Sequence, residues 1–135
     1  MRDSHSGACL CGAVRFEIDG PLEHFYLCHC SRCRKDTGSA HASTLFSGRA
    51  HLVWQSGAEH IHTFRLAGTR HQKSFCTQCG SALPYALEGG QGIAVPAGSL
   101  DTPITLPPEA HICWASRADW EDQLADAPRL DDLPG

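Results

Sequence analysis

Apolar and polar residues alternate along this chain in short bursts instead of recurring every three or four positions. Between Ala13 and Ile18, Val14, Phe16 and Ile18 fall on one side and Arg15 and Glu17 on the other. That is the period of a strand with one wet face. Similar runs predict strands at His24–Cys30, Ala42–Phe46, His51–Gln55, His60–Leu66, His71–Phe75, Ala82–Ala86, Ile93–Val95 and Ala110–Trp114. Turn-forming breakers separate them, among them Asp19-Gly20-Pro21, Gly48, Ser56-Gly57, Ala67-Gly68, Gly89-Gly90 and Thr102-Pro103. No window carries a sustained helical stripe, so helix is confined to short pieces at Ser31–Thr37 and near Trp120–Leu124. The expected class is mainly β, with small sheets joined by tight turns. No repeat, low-complexity tract or linker divides the chain, so one domain over residues 1–135 is expected, with 1–6 and 125–135 as frayed tails.

A chain of 135 residues can bury roughly two-thirds of its surface, enough for a core without covalent staples. Lys plus Arg number 11 against 15 Asp plus Glu, a formal net charge of −4. That balance weighs against a nucleic-acid or anionic-membrane binder, which needs a basic surplus on at least one face. No stretch approaches the ~18 apolar residues of a membrane span. The segment MRDSHSGACLCG lacks the apolar run of a signal peptide, so a reducing cytoplasm is the expected compartment.

The unusual numbers are eight cysteines and nine histidines. Seven of the cysteines fall in three tight groups: Cys9 and Cys11; Cys28, Cys30 and Cys33; Cys76 and Cys79. Thiols this close in sequence are poor disulfide partners, because a bridge needs a particular Cα separation and torsion. They are good chelates, and clustered cysteines in a reducing compartment more often hold metal. Cys76-Thr77-Gln78-Cys79-Gly80 has the form of a zinc knuckle, its glycine free to take the positive φ of a tight turn. A knuckle supplies two ligands. Cys9 and Cys11 can supply the other two, since residues i and i+2 of an extended segment project to the same side.

The preferred partition is one structural zinc on Cys9, Cys11, Cys76 and Cys79, and a second zinc on Cys28, Cys30 and Cys33. The second would keep an open fourth position, the arrangement of catalytic zinc centres. Cys113 or His29 could close that position, a single zinc could leave cysteines idle, and iron suits the four-thiolate site as well. Arg32, Arg34 and Lys35, in and after the second group, are candidates to bind a carboxylate-bearing ligand; the alternative is that they are simply solvated.

The motifs G-x-C-x-C-G (Gly7 to Gly12), C-H-C-S-x-C-R-K-x-T-G (Cys28 to Gly38), F-C-x-x-C-G-S (Phe75 to Ser81) and A-G-S-L-D (Ala97 to Asp101) resemble one family closely. It is the glutathione-dependent formaldehyde-activating enzyme and centromere-protein-V family, and the likeness runs from about Gly7 to Trp120. The resemblance implies a β-tent fold around a structural zinc, and the same partition of seven cysteines between a structural and a catalytic ion. It also implies a carbon–sulfur lyase-type activity joining glutathione to formaldehyde. A three-thiolate zinc with a free position could hold an incoming thiol as thiolate, or polarise a small carbonyl.

Other residues have plainer readings. Most histidines are expected to be surface or hydrogen-bonded strand residues, with His29 and His41 as candidates for a proton relay. Trp54, Trp114 and Trp120 are expected to pack at the core or its edge, and Cys113 to be a buried thiol. Gly89-Gly90-Gln91-Gly92 lacks the lysine and helix of a phosphate loop. Three function classes compete: a zinc-dependent enzyme acting on a thiol adduct of a small aldehyde, a zinc-stabilised module that binds glutathione or a protein, and a dithiol oxidoreductase. The last lacks the βαβ setting of its motif. The free strand edges of a β-rich chain permit a homodimer.

Overall fold

A computed structural model describes residues 3–135. Its strands are β1 (Ser4–Ala8), β2 (Arg15–Asp19), β3 (His24–Cys28), β4 (Ala42–Ser47), β5 (His51–Ser56), β6 (Ile61–Arg65), β7 (Gln72–Cys76), β8 (Ala82–Leu83), β9 (Tyr85–Ala86), β10 (Ile93–Pro96) and β11 (Ala110–Ile112). The helix α1 (Ser31–Thr37) links β3 to β4. The strands form three sheets, ordered β1-β2-β5, β11-β3-β4-β10-β9 and β6-β7-β8. The protein is mainly β and its sheets are small and antiparallel, apart from the parallel pairing of β11 with β3.

The alternation in β2 decides where the core lies. Phe16 and Ile18 are fully buried while Arg15, Glu17 and Asp19 face solvent. Val14, Leu45 of β4, Val95 of β10, and Leu83 of β8 join them in one cluster that all three sheets share. Each such side chain contributes about 1.5–3 kcal/mol on burial. β1 reaches this core by a close approach: a Cβ on Gly7 would stand 2.3 Å from the Ser99 carbonyl oxygen and 2.5 Å from the Phe16 ring. Only glycine fits there.

The expectation of a frayed segment over 1–6 is corrected at Ser4–Ser6, which pair with β2 from Asp19 to Glu17. Thr102 Oγ1 holds this strand from outside, 3.0 Å from His5 Nδ1 and accepting the Ser6 N–H at 3.3 Å. Residues 1 and 2 lie outside the described residues. The single strand expected at Ala82–Ala86 is two, because Pro84 has no N–H to continue a ladder; β8 pairs with β7 and β9 with β10. The strand expected to reach Trp114 stops at Ile112, where Cys113 turns into the left-handed region with φ of 54°. The helix expected near Trp120–Leu124 is a 3-10 segment, Glu121–Asp126, and the residues after it are exposed without regular structure.

Candidate metal centres

The four thiols of Cys9, Cys11, Cys76 and Cys79 converge, their sulfur atoms all within 4.8 Å of one another. Cys9 Sγ is 3.6 Å from Cys11 Sγ, and Cys11 Sγ is 3.9 Å from Cys76 Sγ. A tetrahedral zinc–sulfur site has edges of about 3.8 Å, so this spacing already suits one ion. The knuckle closes through Gly80, whose φ is +75° and whose N–H donates to the Cys76 carbonyl at 2.7 Å. The Val14 N–H donates to Cys9 Sγ at 3.2 Å. Ser81 Oγ stands 3.3 Å from Cys79 Sγ and accepts the Leu10 N–H, stitching the two thiol pairs together.

Their acidities show what the group wants. The Ser81 hydroxyl and then its backbone hold the Cys79 thiol down at about 5, so it is a thiolate at neutral pH. The Ala13 backbone pulls the Cys11 thiol down, but desolvation and the neighbouring Cys9, Cys79 and Cys76 push it up to about 11. Interacting thiols cannot all ionise unaided; a bound cation lets them.

The second group is built by one turn. Cys28 ends β3, Cys30 caps α1 by accepting the Cys33 N–H on its sulfur at 3.3 Å, and Cys33 stands in the helix's first turn. Their sulfur atoms lie within 4.8 Å of one another, and each residue is half-buried. Burial, followed by Cys30 and Cys28, pushes the Cys33 thiol up. Burial also raises Cys28. Burial opposes ionisation of Cys30 too, but the Cys33 N–H and the other thiols outweigh it and lower this sulfur. One sulfur that ionises more readily than its two neighbours is a donor set that fits a thiophilic divalent cation. No fourth Cys, His, Asp or Glu joins this group among the described residues. Cys113 does not: the left-handed turn after β11 leaves it exposed, correcting the expectation of a buried thiol.

All three of these thiols line a cavity of about 780 Å³. Its walls come from α1, β3 and β4, the β6–β7 hairpin, and Tyr85. Of the three cations expected to greet a ligand, only Arg32 lines it. Arg32, Cys33, Asp36 and Thr37 share one helical face, and Arg34 and Lys35 turn away from it by the 3.6-residue period. Arg70 and Lys73 supply charge and His71 an imidazole from the facing hairpin, and sequence reasoning missed all three. No local motif marks these residues; topology alone carries them there. Burial pushes the Tyr85 phenol up to about 12, so it remains a proton donor.

The histidines divide differently from expectation. His29 is fully buried, and its ring lies 5.1 Å from that of His41, so the two are neighbours as a relay requires. Neither lines the cavity, because alternation aims His29 away from Cys28 and Cys30. Trp54 packs edge-on against Phe16 at 5.9 Å. Trp114 and Trp120 are 41% and 45% exposed, so of the two places expected for them, the core or its edge, the core is ruled out. Trp114 packs edge-on against His29, with the Arg117 guanidinium 4.9 Å over the indole.

The fold and its two sulfur clusters define a class: small mainly β proteins with converging thiol groups that could hold metal ions, one of them open to a cavity. The chain belongs to the glutathione-dependent formaldehyde-activating enzyme family, whose family model matches residues 4–116. It is 34% identical over 124 residues to a Halomonas elongata protein provisionally named a glutathione-dependent formaldehyde-activating enzyme, covering 84% of this chain and 77% of that one. A crystal structure of a Rhodobacter sphaeroides protein is similar at a TM-score of 0.54 and 25% identity, covering 78% of this chain and 98% of that one.

Proposed function

We propose that the protein is a zinc-dependent carbon–sulfur lyase-type enzyme that joins glutathione, or a related thiol, to formaldehyde or another small aldehyde. The observation that carries this reading is the set of three converging thiols on a cavity wall, which no fourth Cys, His, Asp or Glu joins among the described residues. Cys28, Cys30 and Cys33 are the residues to hold the catalytic zinc, and Cys9, Cys11, Cys76 and Cys79 the structural one. When bound, a three-thiolate zinc supplies Lewis acidity and a free coordination position. The reaction forms an S–C bond and breaks the carbonyl π bond; the thiol proton ends on the new hydroxyl oxygen.

The chain's own residues position the partners. Arg32 and Arg70 attract the carboxylates of a glutathione-like thiol. Tyr85, kept protonated by burial, offers a hydrogen bond to the oxygen that gains charge. Holding thiol and aldehyde in one cavity lowers the entropic part of the barrier. Thiols add to formaldehyde readily without help, so the rate gain required is modest. Free thiols call for a reducing compartment, which supports a cytoplasmic location; no helix of the described residues is long and apolar enough to cross a membrane.

The test is adduct formation from glutathione and formaldehyde, followed with the wild type and Cys30→Ser. The wild type should accelerate it and the variant, still folded, should not. A wild type that binds glutathione without accelerating the addition would make the protein a binding module.

A further inference from the structure

We propose that His29, His41 and Glu121 form a third cation site, for a divalent transition ion such as zinc, separate from both cysteine groups. One ring nitrogen each of His29 and His41 and a Glu121 carboxylate oxygen lie within 4.8 Å of one another. His29 is fully buried and Glu121 is 7% exposed. The two Nδ1 atoms are buried without a hydrogen-bond partner. Glu121 Oε1 stands 3.3 Å from His29 Nδ1, outside hydrogen-bonding geometry. Orphaned buried nitrogens facing a buried carboxylate are costly, each losing water and gaining nothing in return. One cation would satisfy all three.

The geometry and chemistry suit such an ion. Tetrahedral coordination with bonds of ~2.1 Å has edges of about 3.4 Å, close to the 3.3 Å between His29 and Glu121. Two imidazoles and a carboxylate are a common donor set for zinc and its neighbours. His29 Nε2 lies 2.8 Å from His111 Nδ1. If Nε2 carries the proton and donates there, Nδ1 is left with a lone pair for the metal. Histidine ligands are ordinarily oriented by such an outer hydrogen bond. Glu121 lies beyond the residues 4–116 matched by the family, so the third ligand comes from a segment outside that match. The competing arrangement places a proton on His29 Nδ1, facing Glu121 and the Ala40 carbonyl, with no ion.

Zinc content of the full-length protein, wild type against Glu121→Gln and His41→Ala, separates the two. Each variant should carry one zinc fewer per chain than the wild type. On cobalt substitution the thiolate-to-cobalt charge-transfer absorption should remain unchanged, because it reports the cysteine groups alone. Equal zinc content in all three proteins would overturn the site. Anomalous scattering at the zinc edge from wild-type crystals grown with zinc needs no variant: a peak among His29, His41 and Glu121 supports the proposal, and its absence overturns it. Neither readout depends on turnover, so the site can fail while the proposed lyase activity stands.

Discussion

Asp36 Oδ2 lies 2.8 Å from His71 Nε2, across the seam between α1 and the hairpin that faces it. The other carboxylate oxygen pairs with Lys73 Nζ at 2.9 Å, so one acid ties two basic groups to the cavity wall. The side chains are 18%, 19% and 27% exposed for Asp36, His71 and Lys73, which limits screening by solvent. Asp36→Ala should therefore destabilise the fold by about 1–3 kcal/mol, read by chemical denaturation, with Asp36→Asn milder. A change within about 0.5 kcal/mol would mean that the seam is held by other contacts.

The two sulfur clusters should respond differently to the same chemical change. Cys79→Ser removes a thiol from the group that joins the turn after β1 to the end of β7, the group proposed to hold the structural zinc. Structural zinc contributes on the order of 10 kcal/mol, comparable to the whole stability of a small domain. The variant should lose its fold by circular dichroism. Cys30→Ser, in a site formed within one turn, should keep the fold and lose one zinc. Unfolding of both would make both sites scaffolding.

Ligand charge should be read by the cavity wall and not by the neighbouring helix face. Arg32→Ala and Arg70→Ala should each raise KM for glutathione about tenfold with kcat little changed, as expected for a lost charge-assisted contact. Arg34→Ala and Lys35→Ala should leave KM within about twofold, since neither lines the cavity. The reverse ranking would move the thiol substrate out of this cavity.

Glu23 gives the protein an acid-sensitive clasp. The Gly48 N–H at 2.6 Å and then the Arg49 guanidinium, whose Nε lies 3.0 Å away, hold its carboxyl below the usual range. A depressed folded-state value means that the stabilisation is present above the unfolded value and is lost as pH falls through the folded one. Glu23→Gln should therefore be less stable than the wild type at pH 7, and the gap should close below about pH 4. A gap that persists into acid would show that the contacts matter through shape and not charge.

What the sequence revealed depended on how local each signal was. Val14, Phe16 and Ile18 announced β2 because a buried face and a wet face leave a period of two. β1 had no such signature: Ser-His-Ser-Gly-Ala is held by ladder bonds to β2 and by the small size of Gly7, neither of which hydrophobicity reports. The three tight thiol groups were legible since the members of each sit within a few residues; that Cys9 and Cys11 stand beside Cys76 and Cys79 is the work of the fold. Arg70, Lys73 and Glu121 were not, because only the folded topology brings them to α1 and His29. Cys113 misled for a related reason: an apolar run carried the eye through a residue whose backbone has already left the strand.

The parallel ladder of β11 on β3 has a consequence for how the molecule is made. Translation delivers the Cys28–Cys33 loop well before the strand that will flank it. A nascent chain paused before residue 110 therefore displays those sulfurs without the strand that flanks β3 in the finished fold. A chain cut before β11 keeps all seven grouped cysteines but lacks this flanking strand, so its zinc content beside that of the whole chain measures what the strand adds to the Cys28–Cys33 turn.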